Sequence, residues 1–171
     1  MQKKCASPFV SVVVRTRNRK DDLEKCINSI LGSTYGNYEV IVVNDDSEDG
    51  TTAFLSANYS LHEKVRFLTV KGKKSTAHLY NIGVEHSKGE IIAFVDDDCI
   101  VERSWLGAIV DPFVLDKRIM AAGDCRISGA ASTFTRREES AAAIWRSGGR
   151  RSSASPLTQG LSIHIFTTSS I

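Results

Sequence analysis

The sequence predicts an α/β domain with a mostly parallel central sheet and helices on both faces. Three observations carry that expectation. Short apolar, β-branched runs alternate with segments of helical periodicity. The runs are nearly continuous in apolar residues, as strands buried on both faces must be. Each of three runs ends in a polar loop, after Val14, Val43 and Val95, and ligands in open α/β sheets bind beyond the carboxyl ends of the strands.

The elements follow in order. Residues 9–14 read as the first strand and run into the loop Arg15-Thr16-Arg17-Asn18-Arg19. Asp21 and Asp22 suit a helix start, where carboxylates meet the positive end of the dipole. Leu23, Cys26, Ile27, Ile30 and Leu31 recur at helical spacing and give that helix one core face, and Gly32 fits its end. Residues 38–43 read as the second strand, followed by the acidic loop NDDSEDG. A short helix is expected over residues 51–58 and a third strand over 65–70. Ser75 or Thr76 is suited to cap the next helix, which runs towards His86 and closes by Gly89. Residues 90–95 form the fourth strand and deliver Asp96, Asp97 and Asp98. Trp105, Leu106, Ile109, Val110, Phe113 and Val114 mark a further helix, distorted at Pro112. A fifth strand is expected within residues 119–127 and a helix over 138–144. Beyond residue 128 Ser, Thr, Gly, Ala and Arg dominate, SGGRRSSAS reads as loop, and the last ~20 residues predict no structure.

Bulk properties narrow the function. The 171 residues suit one domain with a substantial core, with 42% hydrophobic and 25% charged residues. A net charge of +2 gives no argument for a nucleic-acid partner. Cys5, Cys26, Cys99 and Cys125 show no C-x-x-C spacing and read as unpaired thiols of a reducing compartment. No stretch approaches the ~18 apolar residues of a membrane span, and the basic N-terminus lacks a signal-length apolar run. A cytoplasmic protein is the expectation.

Three consecutive carboxylates at a strand end repel one another. A hard divalent cation, Mg²⁺ or Mn²⁺, relieves that repulsion and commonly joins one or two carboxylates to substrate phosphates. Alternation along an extended chain places Asp96 and Asp98 on one side and Asp97 on the other. The competing reading is a solvated acidic turn.

The ordered set of segments decides between them. VSVVVRTRNRKDDLEKCINSIL, YEVIVVNDDSEDGT and STAHLYNIGVEHSKGEIIAFVDDD resemble the opening strand and helix, the second strand with its acidic turn, and the strand leading to the D-x-D motif of family 2 glycosyltransferases. The resemblance covers residues 9–127 and implies the A-type nucleotide-sugar-binding fold, a Rossmann-like half, apparently truncated. It implies metal-dependent transfer of a sugar from a nucleoside-diphosphate sugar to a saccharide or lipid-linked acceptor in glycan or polysaccharide synthesis, with inversion. Asp45 matches the residue that meets the base, and Thr16, Arg17 and Asn18 lie in the loop that lines it. Asp98 would hold Mn²⁺ or Mg²⁺ together with Asp96, and Asp96 or Asp97 lies near the ribose. Lys73 and Lys74 either approach the diphosphate or are a solvated loop. Arg15 and Arg17 stand where the family carries a proline and an aromatic, and Asn44 where an aspartate is common; a guanidinium plane can still stack on a base.

The family's catalytic base lies well downstream of D-x-D. Glu138 and Glu139 are the first downstream acidic pair and the weak candidates for it, their other reading being a solvated helix. The resemblance therefore divides the chain into a nucleotide-sugar-binding domain, residues 1–127, and an incomplete or degenerate acceptor-side segment, residues 128–171. Arg136, Arg137, Arg146, Arg150 and Arg151 suit either a solvated tail or peripheral contact with an anionic membrane, at its inner face. His62, His78, His86 and His164 have no metal-motif spacing, and Trp105 reads as core or as a wall of the site. Two alternatives to an enzyme remain: an inactive fragment that only binds nucleotide sugar, and a receiver-like signalling domain built on Asp45 and Asp46, poorly matched because no lysine follows Lys117.

Overall fold

A computed structural model describes residues 7–115, 121–124 and 142–146. The elements are β1 (Val10–Thr16), α1 (Lys20–Leu31), β2 (Tyr38–Asn44), α2 (Thr51–Tyr59), β3 (Val65–Thr69), α3 (Thr76–Glu85), β4 (Ile91–Asp96), α4 (Trp105–Leu115), β5 (Ala121–Asp124) and β6 (Ala142–Arg146). One sheet runs in the order β3-β2-β1-β4-β6-β5. The first four of these neighbours are parallel, and β6 pairs antiparallel with both β4 and β5.

The period-2 alternation of the strands divides the core into two layers. Val10, Val12 and Val14 of β1 pack with Val40, Val42, Ala93 and Val95 against Leu23, Cys26, Ile27 and Ile30 of α1, Leu55 of α2 and Leu106, Ile109 and Phe113 of α4. On the opposite face Val13, Ile41, Val43, Ile92 and Phe94 meet Leu79 and Tyr80 of α3. Each fully buried Val, Leu or Ile contributes roughly 1.5–3 kcal/mol, so these two layers dominate the folding energetics. α3 lies so close to the sheet that a Cβ on Gly83 would clash with the Val13 side chain.

The register levels the strand ends. Arg15 lies beside Val43 and Asp96, and Thr16 beside Asn44. One rim of the sheet thus gathers the polar loops of β1, β2 and β4.

One sequence expectation changes. The helix anticipated over residues 138–144 is replaced at its end by β6; residues 138–141 lie outside the described residues. The physical reason is the edge of β4, whose unpaired backbone groups find partners in Ala142–Arg146. The fifth strand, Ala121–Asp124, falls within the anticipated residues 119–127 and lies outermost in the sheet, beyond β6. α4 continues through Pro112 to Leu115. Gly32 caps α1 with ordinary right-handed backbone, φ −71°.

Candidate functional site

The end of β1 and the loop after it carry arginine at alternate positions, and each reaches a different carboxylate. Arg15 Nε lies 3.8 Å from Asp96 Oδ1. Arg17 NH1 donates to Asp45 Oδ2 at 2.9 Å. Arg19 NH1 donates to Asp98 Oδ2 at 2.7 Å and lies 3.9 Å from Asp97 Oδ1. The four carboxylates come from the ends of two strands that flank β1, so the central strand supplies the cations and its neighbours the anions.

The aspartate turn departs from simple alternation. β4 ends at Asp96, and the Cys99 N–H donates to the Asp96 carbonyl at 3.1 Å, which closes a turn. Asp96 faces the α3 side, where the Tyr80 hydroxyl donates to its Oδ1 at 3.0 Å. Asp97 and Asp98 both face Arg19. Asp97 is buried and Asp98 exposed. Burial pushes the Asp97 carboxyl above the usual carboxylate range, against the nearby Thr16 hydroxyl, Arg19 and Arg15. Burial, with Asp96 alongside, pushes the Tyr80 phenol upward, so Tyr80 stays a protonated donor.

Three of the four buried polar atoms without a hydrogen bond lie at the same rim. Among the described residues the four are Arg15 Nε, Thr16 Oγ1, Asp45 Oδ1 and Asn81 Oδ1. Thr16 and Asp45 are 1% and 4% exposed. An unsatisfied buried polar group costs roughly 1–3 kcal/mol, so three such atoms on two adjacent strand ends mark a place where a ligand is expected to supply partners.

The surrounding loops are tied by their own side chains. Asn18, at φ 52°, accepts from the Glu48 N–H at 2.8 Å and donates its own N–H to Ser47. Asp49 accepts from the Lys20 N–H at 3.0 Å and from Thr51. Burial alone would raise Asp49; these donors bring its carboxyl below the usual range. Asn44 is buried and spends its amide on Thr52 Oγ1 and the Ser47 N–H. Asp46, at φ 49°, accepts from the Gly72 N–H at 3.1 Å and so tethers the loop of Lys73 and Lys74 to the rim. Both lysines are exposed there. A recess of about 310 Å³ opens beside Arg19, lined by Asn18, Arg19, Lys20, Asp21, Asp22 and Asp49.

The structure therefore brings together Thr16, Arg17, Asp45, Asp96, Asp97 and Asp98. It uses Asn18 as a cross-link between two loops. Glu138 and Glu139 lie outside the described residues. Trp105 packs against the core. Among the described residues no three His, Cys, Asp or Glu side chains form a ready-made metal cage. The donor set still fits a hard cation, because Mg²⁺-type sites use one or two carboxylates and complete their shell with water and phosphate. Asp98, with Asp96 or Asp97, provides that number, and Asp98 Oδ2 already attracts a cationic group to 2.7 Å. Sequence reasoning missed Arg19 and Tyr80. The R-x-R-x-R spacing against an equal cluster of aspartates was the available signal for Arg19; Tyr80 sits in an apolar helix pattern and gave none.

Cys26 and Cys99 are free thiols behind this turn. Cys26 Sγ lies 3.5 Å from the Asp96 carbonyl. Burial, with nearby Asp96 and Asp98, pushes Cys99 up to about 11.

Comparison with known proteins gives this geometry a context. The family model described as glycosyl transferase family 2 matches residues 11–170. Glycosyltransferase AglE of Haloferax volcanii is 34% identical over 101 residues, 58% of this chain and 33% of the relative. Glycosyltransferase GlyG of Streptococcus pneumoniae is 36% identical over 100 residues, 58% of this chain and 33% of the relative. A UDP-Glc:α-D-GlcNAc-diphosphoundecaprenol β-1,3-glucosyltransferase, WfgD of Escherichia coli, is 33% identical over 92 residues, 54% of this chain and 36% of the relative. Among solved structures, a mannosyltransferase of Pyrobaculum calidifontis in complex with GDP-Man and Mn²⁺ superposes with a TM-score of 0.61 at 27% identity, covering 68% of this chain and 35% of that one. The chain spans about a third of the length of these relatives.

Proposed function

Because the chain belongs to glycosyl transferase family 2, we propose that its polar rim binds a nucleoside-diphosphate sugar and serves sugar transfer, metal-dependent and inverting, in glycan or polysaccharide synthesis. The observation that carries this reading is the set of orphaned buried atoms, Arg15 Nε, Thr16 Oγ1 and Asp45 Oδ1, beside the aspartate turn. A nucleotide offers donors and acceptors of the kind those atoms lack. Asp45 is proposed to meet the base, and Arg17, withdrawn from Asp45, to stack against it.

Asp98, with Asp96 or Asp97, would hold Mn²⁺ or Mg²⁺; the ion supplies Lewis-acid neutralisation of the departing diphosphate. Tyr80 and Arg15 fix Asp96 from the α3 side. Lys73 and Lys74, held at the rim through Asp46 and Gly72, stand ready to meet phosphate charge. A carboxylate must take the acceptor's proton as its hydroxyl attacks; Glu138 and Glu139 are the candidates. The Mn²⁺ and GDP-Man of the archaeal mannosyltransferase support the metal and donor readings. The diphosphoundecaprenol named for the Escherichia coli relative supports a lipid-linked acceptor and peripheral work at a membrane. Among the described residues no helix is long and apolar enough to cross one.

A second reading is a protein that binds the donor without turnover. Family membership displaces the receiver-like alternative. Release of nucleoside diphosphate from UDP- and GDP-sugars, measured with Mn²⁺ and with chelator, separates the two remaining readings. Metal-dependent release, reduced in E138Q or E139Q, is expected of the enzyme. Binding without release identifies the second.

A further inference from the structure

Arg19 is placed unlike an ordinary surface arginine. It stands just before α1, and its guanidinium spans two consecutive carboxylates, 2.7 Å from Asp98 and 3.9 Å from Asp97. These are two of three adjacent aspartates whose mutual repulsion demands a cation. The Arg19 and Asp98 side chains are 49% and 37% exposed, so the contact can open without unpacking the core. By contrast, the side chain of the Arg17 partner Asp45 is buried.

We propose that Arg19 is the resident counter-cation of the D-x-D turn, and that metal entry is an exchange in which Arg19 gives up Asp98. This rests on the metal reading above. A guanidinium on Asp98 Oδ2 competes, by its charge, with a divalent ion for the same oxygen. Giving up Asp98 leaves Arg19 with the longer Asp97 contact, and its freed N–H groups can be accepted by a diphosphate. Metal alone must displace Arg19 against its attraction to two carboxylates; metal arriving with a diphosphate gives Arg19 a new anionic partner. Arg19 thereby couples the two ligands, and coupling of this kind is reciprocal. It is a positioning residue, since it acts on the metal through Asp98.

The test uses the full chain and Mn²⁺ as the probe. Free Mn²⁺ is counted by electron paramagnetic resonance, with and without UDP or GDP, for the native chain, R19Q, R19K and D98N. R19Q is expected to bind Mn²⁺ alone about three- to tenfold more tightly than the native chain, and to lose most of the enhancement that nucleotide gives. R19K, a point charge without the planar fork, is expected to shift in the same direction by less. Metal-free R19Q is expected to melt at lower temperature and to recover with Mn²⁺. Equal or weaker Mn²⁺ binding by R19Q, with metal and nucleotide still bound by the native chain, overturns the exchange and leaves the donor-site reading intact. Absence of Mn²⁺ binding in every variant, nucleotide present, overturns both. If R19Q fails to fold, an unchanged Mn²⁺ affinity in R19K overturns the exchange.

Discussion

Thr16 is the clearest single residue on which stability and function oppose each other. Its hydroxyl is buried at the end of the central strand, beside the Asp97 carboxyl but without a hydrogen bond of good geometry. Thr16→Val keeps the shape and the β-branching while removing the orphan. The expected result is a free protein more stable by about 0.5–1 kcal/mol in urea denaturation, with weaker nucleotide binding in the same preparation. Unchanged stability would mean that the hydroxyl is already satisfied. At this scale the acidic half of the site was legible: Asp45 and Asp96 to Asp98 stand out as charges ending apolar runs. The cationic half was less so. A sequence shows the spacing of Arg15, Arg17 and Arg19 but not which carboxylate each reaches, because that depends on neighbouring strands far away in the chain. Alternation also misplaced Asp97 and Asp98 relative to one another, since the strand turns after Asp96 and its period stops there.

Among elements, the loops that carry the site depend on Asp49, which links the start of α1 to the start of α2. Its carboxyl is held below the usual range by donors that bind the ionised form more strongly. A depressed carboxyl contributes stability above its unfolded value, and that contribution is lost as pH falls through the folded one. The native chain is therefore expected to lose stability below pH of about 4 more steeply than D49N, measured by urea midpoints across that range. A second device is the turn into β4. A Cβ on Gly89 would meet the Ser11 nitrogen at 2.5 Å and the Ile91 carbonyl oxygen at 2.6 Å, both backbone. Gly89→Ala is expected to cost roughly 1–3 kcal/mol, read as a lower urea midpoint with unchanged slope. β1 to β4 and their helices were readable to within two residues, because buried strands and one-faced helices write strong periods. β6 was not, since the run of alanines before Ile144 suits a helix by propensity and becomes a strand only because β4 offers it an edge.

As a whole molecule, the protein places anionic strand ends on both sides of a cationic central loop, and the donor site proposed here follows from that arrangement. Four parallel strands put the rim where α/β sheets place their ligands. The most direct measurement is calorimetric titration of the full chain with UDP, GDP and dTDP, with and without Mn²⁺, repeated on Asp98→Ala. The account predicts binding of at least one nucleotide that strengthens with Mn²⁺, and loss of that strengthening, about tenfold or more, in the variant. A folded native chain that binds none of the three nucleotides, or binds them equally with Mn²⁺ and with chelator, would contradict it.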